Sequence, residues 1–379
     1  MRVALVCDWF LPRLGGIELH LRDLALALRA RGVDARVVTT TRGPDLVDGV
    51  PVHRVRAALS PVGGFAFTPA GLGRLGRMLD AEGFDVIHAH ASVVSPVAYT
   101  GALAGVRMGL PTVLTFHSML HRSALLLGAS ESLFGLMADR IVLSAVSSVV
   151  ASQAVRWLPG AAVAILPNGI NTAFWRDGIA PRSPGNGGEV TVVSAMRLSR
   201  KKRPTTLLRA FAAARRFVGD APSMRLVIAG DGPDRVALAR EAMGLGIGDR
   251  VELPGQLSRA ALRELYQRAD IFVLPSERES FGIAALEARA AGLPVIAMLE
   301  SGARDFVRQG VDGLLARDAR DLARAIGRLA VDGPFREYVA RHNASVPPPY
   351  DWAEVAALHE RIYVAAGELP AVARRVSHQ

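Results

Sequence analysis

Short, apolar, β-branched runs alternate along the chain with longer segments in which apolar residues recur every three or four positions. After the first run, Ile17, Leu21, Leu24 and Leu28 mark one face of a helix. Continuous apolar strands separated by helices are typical of parallel sheets covered on both faces. The predicted strands are RVALVC, ARVVTT, DVIHAH, PTVLTFH, RIVLSAVSS and AVAILP in the first half, and VTVVSAM, RLVIAG, RVELPG, IFVLPS, PVIAM and GLLA in the second.

The series of strands runs twice, so we predict an α/β fold of two doubly wound, Rossmann-like domains that face each other across a cleft. PNGIN and the Pro/Gly-rich residues 181–188 indicate a linker. The prolines of 345–349 end the second domain's last helix, and Asp351 with Glu354 predicts a capped helix through about Tyr363 that crosses back to the first domain. The predicted parts are residues 1–170, 171–348 and 349–379, the last with a frayed tail after Pro370.

Composition narrows the function classes. The single cysteine, Cys7, excludes a disulfide framework and a cysteine-built zinc site, and fits a reducing, cytoplasmic interior. The opening MRVALVCDWF is too short an apolar run for a signal peptide, and no run approaches the roughly 18 residues that span a bilayer. The net charge of +10 favours anionic partners, including the inner face of an anionic membrane, whereas the absence of a nucleic-acid-binding motif argues against nucleic acid.

Lysine occurs at two positions in the chain, Lys201 and Lys202, both in the stretch RLSRKKRP after the first strand of the second half. Arg197 and Lys202 combine a planar guanidinium with a compact ammonium, a pair that suits the oxygens of a diphosphate. Gly15 and Gly16 follow the first strand of the chain and allow backbone N–H groups to approach an anion, although the G-x-G-x-x-G spacing is absent. A solvated basic loop and an ordinary glycine turn are the alternatives.

Two glutamates with seven residues between them follow the strand IFVLPS in SERESFGIAALEARAAGLPVIA. On one continuous helix they would lie about 80° and about 12 Å apart, so they could not share one small target. We therefore predict Glu279 in the loop and Glu287 inside a helix that starts near Phe281, with a diphosphate at the helix N-terminus between two hydroxyl-bearing rings. Glycoside hydrolases, by contrast, place their carboxyl groups roughly 5 to 9 Å apart.

The combination of GG, RLSRKKR, GDGP (Gly230–Pro233) and ESFGIAALE resembles family 4 of the retaining glycosyltransferases, which have the GT-B fold. The resemblance covers nearly the whole chain. The opening CDWFLPRLGGIELHLRDLALAL further resembles the branch with the phosphatidylinositol N-acetylglucosaminyl- and mannosyltransferases. The resemblance implies that the first domain binds the acceptor and that the second binds the nucleotide-sugar donor.

In the second domain, the resemblance implies that Arg197 and Lys202 hold the donor diphosphate. It implies that Glu287 binds the ribose hydroxyls and that Glu279 contacts the donor sugar. The further donor-binding positions that it implies are Gly230, Asp231, Phe281 and Gly282. Arg203 departs from the family pattern, because a glycine commonly follows the lysine there, and this leaves the local backbone conformation open.

In the first domain, the resemblance implies that Gly16, beside Gly15, lies under the diphosphate and that His117 lies beside the transferred sugar. A structural role for His117 is the alternative. His88 and His90 alternate along one strand, so we expect only one of them to be able to face the cleft, and we expect both to be satisfied core histidines.

We expect no metal and no cofactor, because no D-x-D pair is placed to meet a diphosphate and the two cations supply its countercharge. The expected reaction moves a hexosyl group from a GDP- or UDP-linked donor to a sugar, glycolipid or other hydroxyl acceptor. The resemblance implies that the donor phosphate takes the acceptor proton. The alternatives are an epimerase or phosphorylase of the same fold, and a non-catalytic membrane-surface adaptor that uses Arg74, Arg77 and the apolar stretch around residues 125–127.

Overall fold

The computed structural model describes residues 1–13, 15–55, 69–120, 140–178, 188–219 and 222–369. The chain forms two compact units: unit 1 contains Met1–Gly169 with Tyr350–Gln379, and unit 2 contains Ile170–Pro349. Residues 181–187 of the predicted linker, the apolar stretch around residues 125–127 and the tail from residue 370 lie outside the described residues.

Unit 1 contains an eight-stranded sheet. Its strands are β1 Arg2–Cys7, β2 Asp34–Thr39, β3 Leu46–Val47, β4 Val50–Arg54, β5 Val86–Ala91, β6 Thr112–Phe116, β7 Val142–Ala145 and β8 Val163–Ile165. Their order is β3-β4-β2-β1-β5-β6-β7-β8, and every pair except β3–β4 is parallel. All six predicted strands are present, and the β3–β4 hairpin is an addition that the apolar runs did not predict.

Unit 2 contains a six-stranded, parallel sheet. Its strands are β9 Glu189–Ala195, β10 Ser223–Ala229, β11 Val251–Gly255, β12 Ile271–Leu274, β13 Val295–Met298 and β14 Gly313–Ala316. The order is β11-β10-β9-β12-β13-β14, so β9 and β12 are neighbours although many residues separate them in sequence. All six strands predicted for this half are present.

Helices cover the sheets, and their apolar stripes face the cores. On the first helix, Leu21, Leu24 and Leu28 of the predicted face are fully buried. No helix among the described residues is both long and apolar enough to span a bilayer. The helices are α1 Gly16–Ala30, α2 Pro69–Ala81, α3 Pro96–Arg107, α4 Ser148–Trp157, α5 Thr172–Arg176, α6 Pro204–Val218, α7 Arg235–Gly244, α8 Arg259–Arg268, α9 Ile283–Ala290, α10 Ala319–Val331, α11 Gly333–Ser345 and α12 Trp352–Gly367.

The last helix, α12, returns the chain to unit 1. The Asp351 carboxylate caps it by accepting a hydrogen bond from the Ala353 N–H at 3.0 Å. Ala356 and Tyr363 pack in the same core as the buried face of α1. The cap and the return were predicted from the sequence, and the helix extends four residues beyond the predicted end.

A buried ion-pair network anchors α9 to the sheet of unit 2. Asp312, directly before β14, is fully buried and accepts hydrogen bonds from Arg289 of α9 at 2.8 Å and from the Arg308 Nε at 2.7 Å. The ring of His342 lies 3.2 Å from the same carboxylate, and the Asn343 amide donates to the Asp312 carbonyl at 2.9 Å. A buried charge is tolerated when it is paired in this way, so the network fixes the position of α9.

Replacing Asp312 with asparagine keeps the shape of the side chain but removes the carboxylate charge that pairs with the buried Arg289. We expect a loss of about 3–5 kcal/mol, which would move the urea transition of unit 2 to lower concentration by about 1–2 M. Asp321→Asn is the control, because Asp321 pairs with the exposed Arg317 and Arg324 and its loss should change the transition far less. Circular dichroism monitors both urea transitions, and equal shifts in the two variants would contradict the anchoring role of Asp312.

Candidate active site

Two predicted motifs meet at the carboxyl ends of neighbouring strands in unit 2. Because β9 and β12 run parallel and pair directly, the loops that follow them leave the same edge of the sheet. In this arrangement the Lys202 Nζ donates a hydrogen bond to the Glu279 Oε2 at 2.6 Å. The structure therefore joins RLSRKKRP to SERESFG through their side chains.

A hydrogen bond from a buried serine holds the backbone at Lys202. Lys202 ends a short 3-10 helix, Arg200–Lys202, and its carbonyl accepts a hydrogen bond from the hydroxyl of the fully buried Ser276 at 3.1 Å. Its side chain is partly buried, whereas Lys201 is exposed, as predicted. The sequence reasoning did not single out Ser276, although its position two residues beyond β12 was a usable signal.

Arg203 adopts the left-handed conformation that a glycine would adopt most readily, with φ of 58° and ψ of 42°. For a residue with a side chain this conformation costs on the order of 1–3 kcal/mol. The Arg203 guanidinium forms an ion pair with Glu277, which lies in the loop after β12. The departure from the family glycine thus keeps the backbone conformation and adds a second link between the two loops.

Arg197 is exposed two residues beyond the end of β9, and it forms no ion pair within the part of the chain that the structure describes.

The GDGP segment supports the Arg197 loop: the Leu198 N–H donates to the Asp231 carbonyl at 2.9 Å. Gly230 has φ of 129°, and a Cβ there would lie 1.9 Å from the carbonyl oxygen of Met196. The exposed Asp231 carboxylate accepts a hydrogen bond from the next backbone N–H at 2.7 Å. Gly230 therefore permits a close approach that holds the Arg197 loop.

Glu279 lies in the loop and Glu287 lies within α9, as predicted, and both side chains are largely buried. The helix begins at Ile283 rather than near Phe281, whose ring is buried. Gly282, with φ of 96°, precedes the helix, and no side chain caps its amino end. Uncapped N–H groups at a helix start favour an anion, so this end of α9 suits a phosphate.

Gly302 is a further residue that shapes this loop, and the sequence reasoning missed it. Its N–H donates to the Glu279 carbonyl at 2.8 Å. A Cβ at this position would lie 2.1 Å from the carbonyl oxygen of Ser280. Gly302 therefore lets the segment after β13 press against the Glu279 loop, and the signal for it was a Ser-Gly pair after a predicted strand.

In unit 1, three buried histidines from different elements lie close together. His117 follows β6, and its Nε2 lies 2.9 Å from the Nδ1 of His90 on β5. The ring of His20, on α1, lies 5.2 Å from that of His117. Burial lowers the pKa of His117 to about 3 and lowers the pKa values of His20 and His90 well below the ordinary value. All three rings are therefore neutral at physiological pH.

The premise that His88 and His90 alternate between the two faces of their strand was wrong. Residues two apart on a strand point to the same side of the sheet, and the two ring centroids lie 3.9 Å apart. His88 is satisfied, with Tyr363 at 2.9 Å and Thr115 at 2.7 Å. The Nε2 of His90 is buried without a hydrogen-bond partner among the described residues, so the prediction of a satisfied core histidine holds for His88 and fails for His90.

The three-histidine group of His20, His90 and His117 is the one set of candidate metal ligands found among the described residues, with nitrogen atoms within 4.8 Å of one another. Two of its nitrogens are hydrogen-bonded at 2.9 Å, whereas ligand atoms around a tetrahedral zinc lie about 3.3 Å apart for Zn–N bonds of about 2.0–2.1 Å. The group also contains no carboxylate to offset the charge of a cation. The group as it stands therefore does not match a tetrahedral metal site, and metal independence of the reaction stays a prediction.

Contacts within unit 1 explain a glycine at position 15 but not at position 16. Gly15 precedes α1, and a Cβ there would lie 2.3 Å from the Glu18 carboxylate. Gly16 is exposed, and a Cβ there would meet no atom within 4 Å. Packing inside unit 1 therefore does not explain a glycine at position 16, whose proposed place under a diphosphate stays a prediction.

The apolar stretch that carries Arg74 and Arg77 forms part of α2. Both arginines are exposed, while Leu75 and Leu79 are fully buried in the core of unit 1. These two leucines are thus unavailable to a membrane, and the exposed charge of the two arginines is what this segment offers to an anionic surface.

Solved structures with the same fold support the predicted architecture. The structure of Anabaena Alr3699/HepE in complex with UDP and glucose matches with a TM-score of 0.74 and 20% identity, over 96% of this chain and all (100%) of that one. Sucrose-phosphate synthase from Thermosynechococcus elongatus matches with a TM-score of 0.71 and 21% identity, over 96% of this chain and 98% of that one. These likenesses confirm the prediction of a GT-B fold with two parallel-sheet domains.

Sequence comparisons then identify the family. The D-inositol 3-phosphate glycosyltransferase of Acidothermus cellulolyticus is 33% identical over 86% of this chain and 80% of its own. The phosphatidyl-myo-inositol mannosyltransferase of Mycobacterium leprae is 30% identical over 96% of each chain. Residues 14–174 match the family model Glycosyltransferase Family 4, and residues 177–345 match Glycosyl transferases group 1. This chain therefore belongs to the family 4 glycosyltransferases.

Proposed function

We propose that the protein transfers a hexosyl group, mannose, glucose or N-acetylglucosamine, from a nucleotide diphosphate sugar to an acceptor hydroxyl with retention of anomeric configuration. The observation that carries the proposal is the 2.6 Å contact between Lys202 and Glu279, which joins the two motifs of unit 2. Arg197 is exposed in the same loop as Lys202. Membership of family 4 supports glycosyl transfer as the class of reaction.

The leaving group in such a transfer is an anionic diphosphate, so its stabilisation is the main electrostatic task. In the proposal, the Arg197 guanidinium grips two phosphate oxygens and the Lys202 ammonium binds another. An ammonium has three N–H donors, so Lys202 keeps its bond to Glu279 and has two left for the diphosphate. Glu279 then has two roles, because it orients Lys202 and contacts the donor sugar.

The remaining roles follow the family resemblance. Glu287 binds the ribose hydroxyls, and the backbone of Phe281 and Gly282 adjoins the sugar at the uncapped start of α9. His117 in unit 1 contacts the transferred sugar. We assign no protein nucleophile, and the departing phosphate takes the acceptor proton on the same face of the sugar.

Names of similar proteins guide the choice of substrates. The HepE complexes contain UDP and glucose, so UDP-sugars stand first in a donor panel and GDP-sugars second. Two relatives are named for inositol-containing acceptors, so inositol phosphate, phosphatidylinositol and other glycolipids form the acceptor panel. Release of UDP or GDP from each donor, with and without acceptor, tests the proposal, and inertness towards the whole panel would contradict it.

The two lysines provide a matched test of the donor site. Lys201→Arg should leave turnover close to normal, because Lys201 is exposed. Lys202→Arg keeps the charge but replaces a compact head, held at 2.6 Å from Glu279, with a wider planar one, so kcat should fall more than KM rises. Lys202→Ala should cost on the order of 10²-fold or more in kcat. Steady-state kinetics on the folded variants test which lysine binds the diphosphate. Normal turnover in Lys202→Arg together with a defective Lys201→Arg would show that Lys201, not Lys202, has this role.

Metal independence is the second testable consequence. Because Arg197 and Lys202 neutralise the diphosphate, transfer should persist at an undiminished rate in excess EDTA. The measurement is donor turnover before and after chelation, with the protein's metal content determined in parallel. A loss of activity that Mg²⁺, Mn²⁺ or Zn²⁺ restores would show that the two cations are insufficient.

A third consequence concerns membranes. If Arg74 and Arg77 meet acidic lipid, sedimentation with anionic vesicles should fall as salt rises, because exposed charges are screened within about 8 Å at 0.15 M. Replacing both by glutamine should weaken sedimentation, while the control pair Arg215→Gln and Arg216→Gln in unit 2 removes the same charge and should not. Equal sedimentation with neutral vesicles would remove the electrostatic basis of the contact.

A further inference from the structure

Five histidines are buried together in unit 1. They come from α1, from β5, from the end of β6 and from α12, and adjacent rings lie between 3.9 and 5.5 Å apart. The members are His20, His88, His90, His117 and His359. Burial is the largest cause that lowers the pKa of each ring, so the cluster is neutral. In a neutral cluster, the placement of each imidazole proton decides which nitrogens donate.

His88 is hydrogen-bonded through both ring nitrogens. Its Nε2 lies 2.7 Å from the Thr115 hydroxyl, which lies 2.6 Å from the Ser144 hydroxyl, and its Nδ1 lies 2.9 Å from the Tyr363 hydroxyl. Because hydroxyl groups both donate and accept, these partners satisfy either tautomer of His88. His88 is thus held in one orientation, with its ring against that of His90.

The position of the proton between His90 and His117 follows from the hydrogen-bond donors and acceptors around the two rings. The 2.9 Å contact between the His90 Nδ1 and the His117 Nε2 needs one N–H. The other nitrogen of His90, Nε2, is buried without a partner among the described residues. A proton on that Nε2 would create a buried, unpaired N–H, which proteins avoid more strongly than an unpaired acceptor. The proton of His90 therefore lies on Nδ1 and points at His117.

We infer that His90 is a positioning residue, which donates its Nδ1–H to the His117 Nε2 and holds His117 in the tautomer that carries a proton on Nδ1. In this tautomer His117 offers an uncharged N–H donor, whose partner is an oxygen acceptor such as a sugar hydroxyl. The identity of that acceptor rests on the proposed function, whereas the tautomer itself does not. The low pKa of His117, about 3, keeps the ring neutral through the physiological range.

The tautomer is measurable directly. In full-length protein with ¹⁵N-labelled histidine, long-range ¹H–¹⁵N correlation spectra distinguish protonated from unprotonated ring nitrogens, and His117→Gln assigns the His117 signals. We expect a protonated Nδ1 and an unprotonated Nε2 in the wild type. His90→Phe keeps a ring against His88 but removes the donor, so His117 should become a mixture of tautomers. His90→Asn places an amide nitrogen near the position of Nδ1 and should restore the wild-type pattern.

His359→Phe is the matched control, because His359 is equally buried in the cluster and bonds to the Val355 carbonyl at 2.8 Å rather than to His117. It should leave the His117 tautomer unchanged. Circular dichroism and melting temperature show that each variant is folded. A wild-type His117 protonated on Nε2, or a single unchanged tautomer in His90→Phe, would overturn the inference.

Kinetics separate this inference from the proposed function. With an active donor, His90→Phe should lower kcat/KM on the order of tenfold, as expected for one misplaced hydrogen bond, and His90→Asn should recover most of it. A shift of tautomer in His90→Phe without loss of turnover would confirm the positioning by His90 and contradict the proposed contact between His117 and the sugar.

Discussion

The contact between Lys202 and Glu279 depends on one topological constraint, the parallel pairing of β9 with β12. These strands are distant in sequence, yet their carboxyl ends adjoin, so the loops that follow them share one edge of the sheet. The Ser276 hydroxyl and the Arg203–Glu277 ion pair add two further links between the same loops. A lysine has four flexible side-chain bonds, and these links hold its ammonium beside the Glu279 carboxylate.

Close backbone contacts and a buried ion pair also hold these loops and α9 in place. Gly230 and Gly302 each lie where a Cβ would overlap a carbonyl oxygen, so each allows one loop to press against another. Near the carboxyl end of α9, the buried Arg289–Asp312 pair ties the helix to the start of β14. Motif residues such as Gly230 therefore act partly through the loops they support, as the GDGP segment does for Arg197.

Much of this could be predicted from the sequence, because apolar runs and their spacing determine parallel α/β units. The strands, the helix that carries Glu287 and the cap of α12 follow from such local patterns. The β3–β4 hairpin was missed, although Asp48 and Gly49, with φ of 51° and 83°, have the residues typical of a two-residue turn. The histidine cluster and the Arg289–Asp312 pair were beyond prediction, because their members come from elements whose neighbours only the folded topology determines.

The two units recognise their ligands by different physical means in the proposed reaction. Unit 2 offers charged groups, Arg197 and Lys202, which suit a diphosphate. The histidines of unit 1 are buried so closely that protonating one would require desolvation of a charge and would disfavour protonation of its neighbours. An uncharged N–H suits a sugar, which carries hydroxyl groups and no charge, and does not compete for the diphosphate. A cluster of neutral imidazoles thus leaves the charged contacts with the diphosphate to unit 2, while the proton inferred on the His117 Nδ1 gives unit 1 a directional contact.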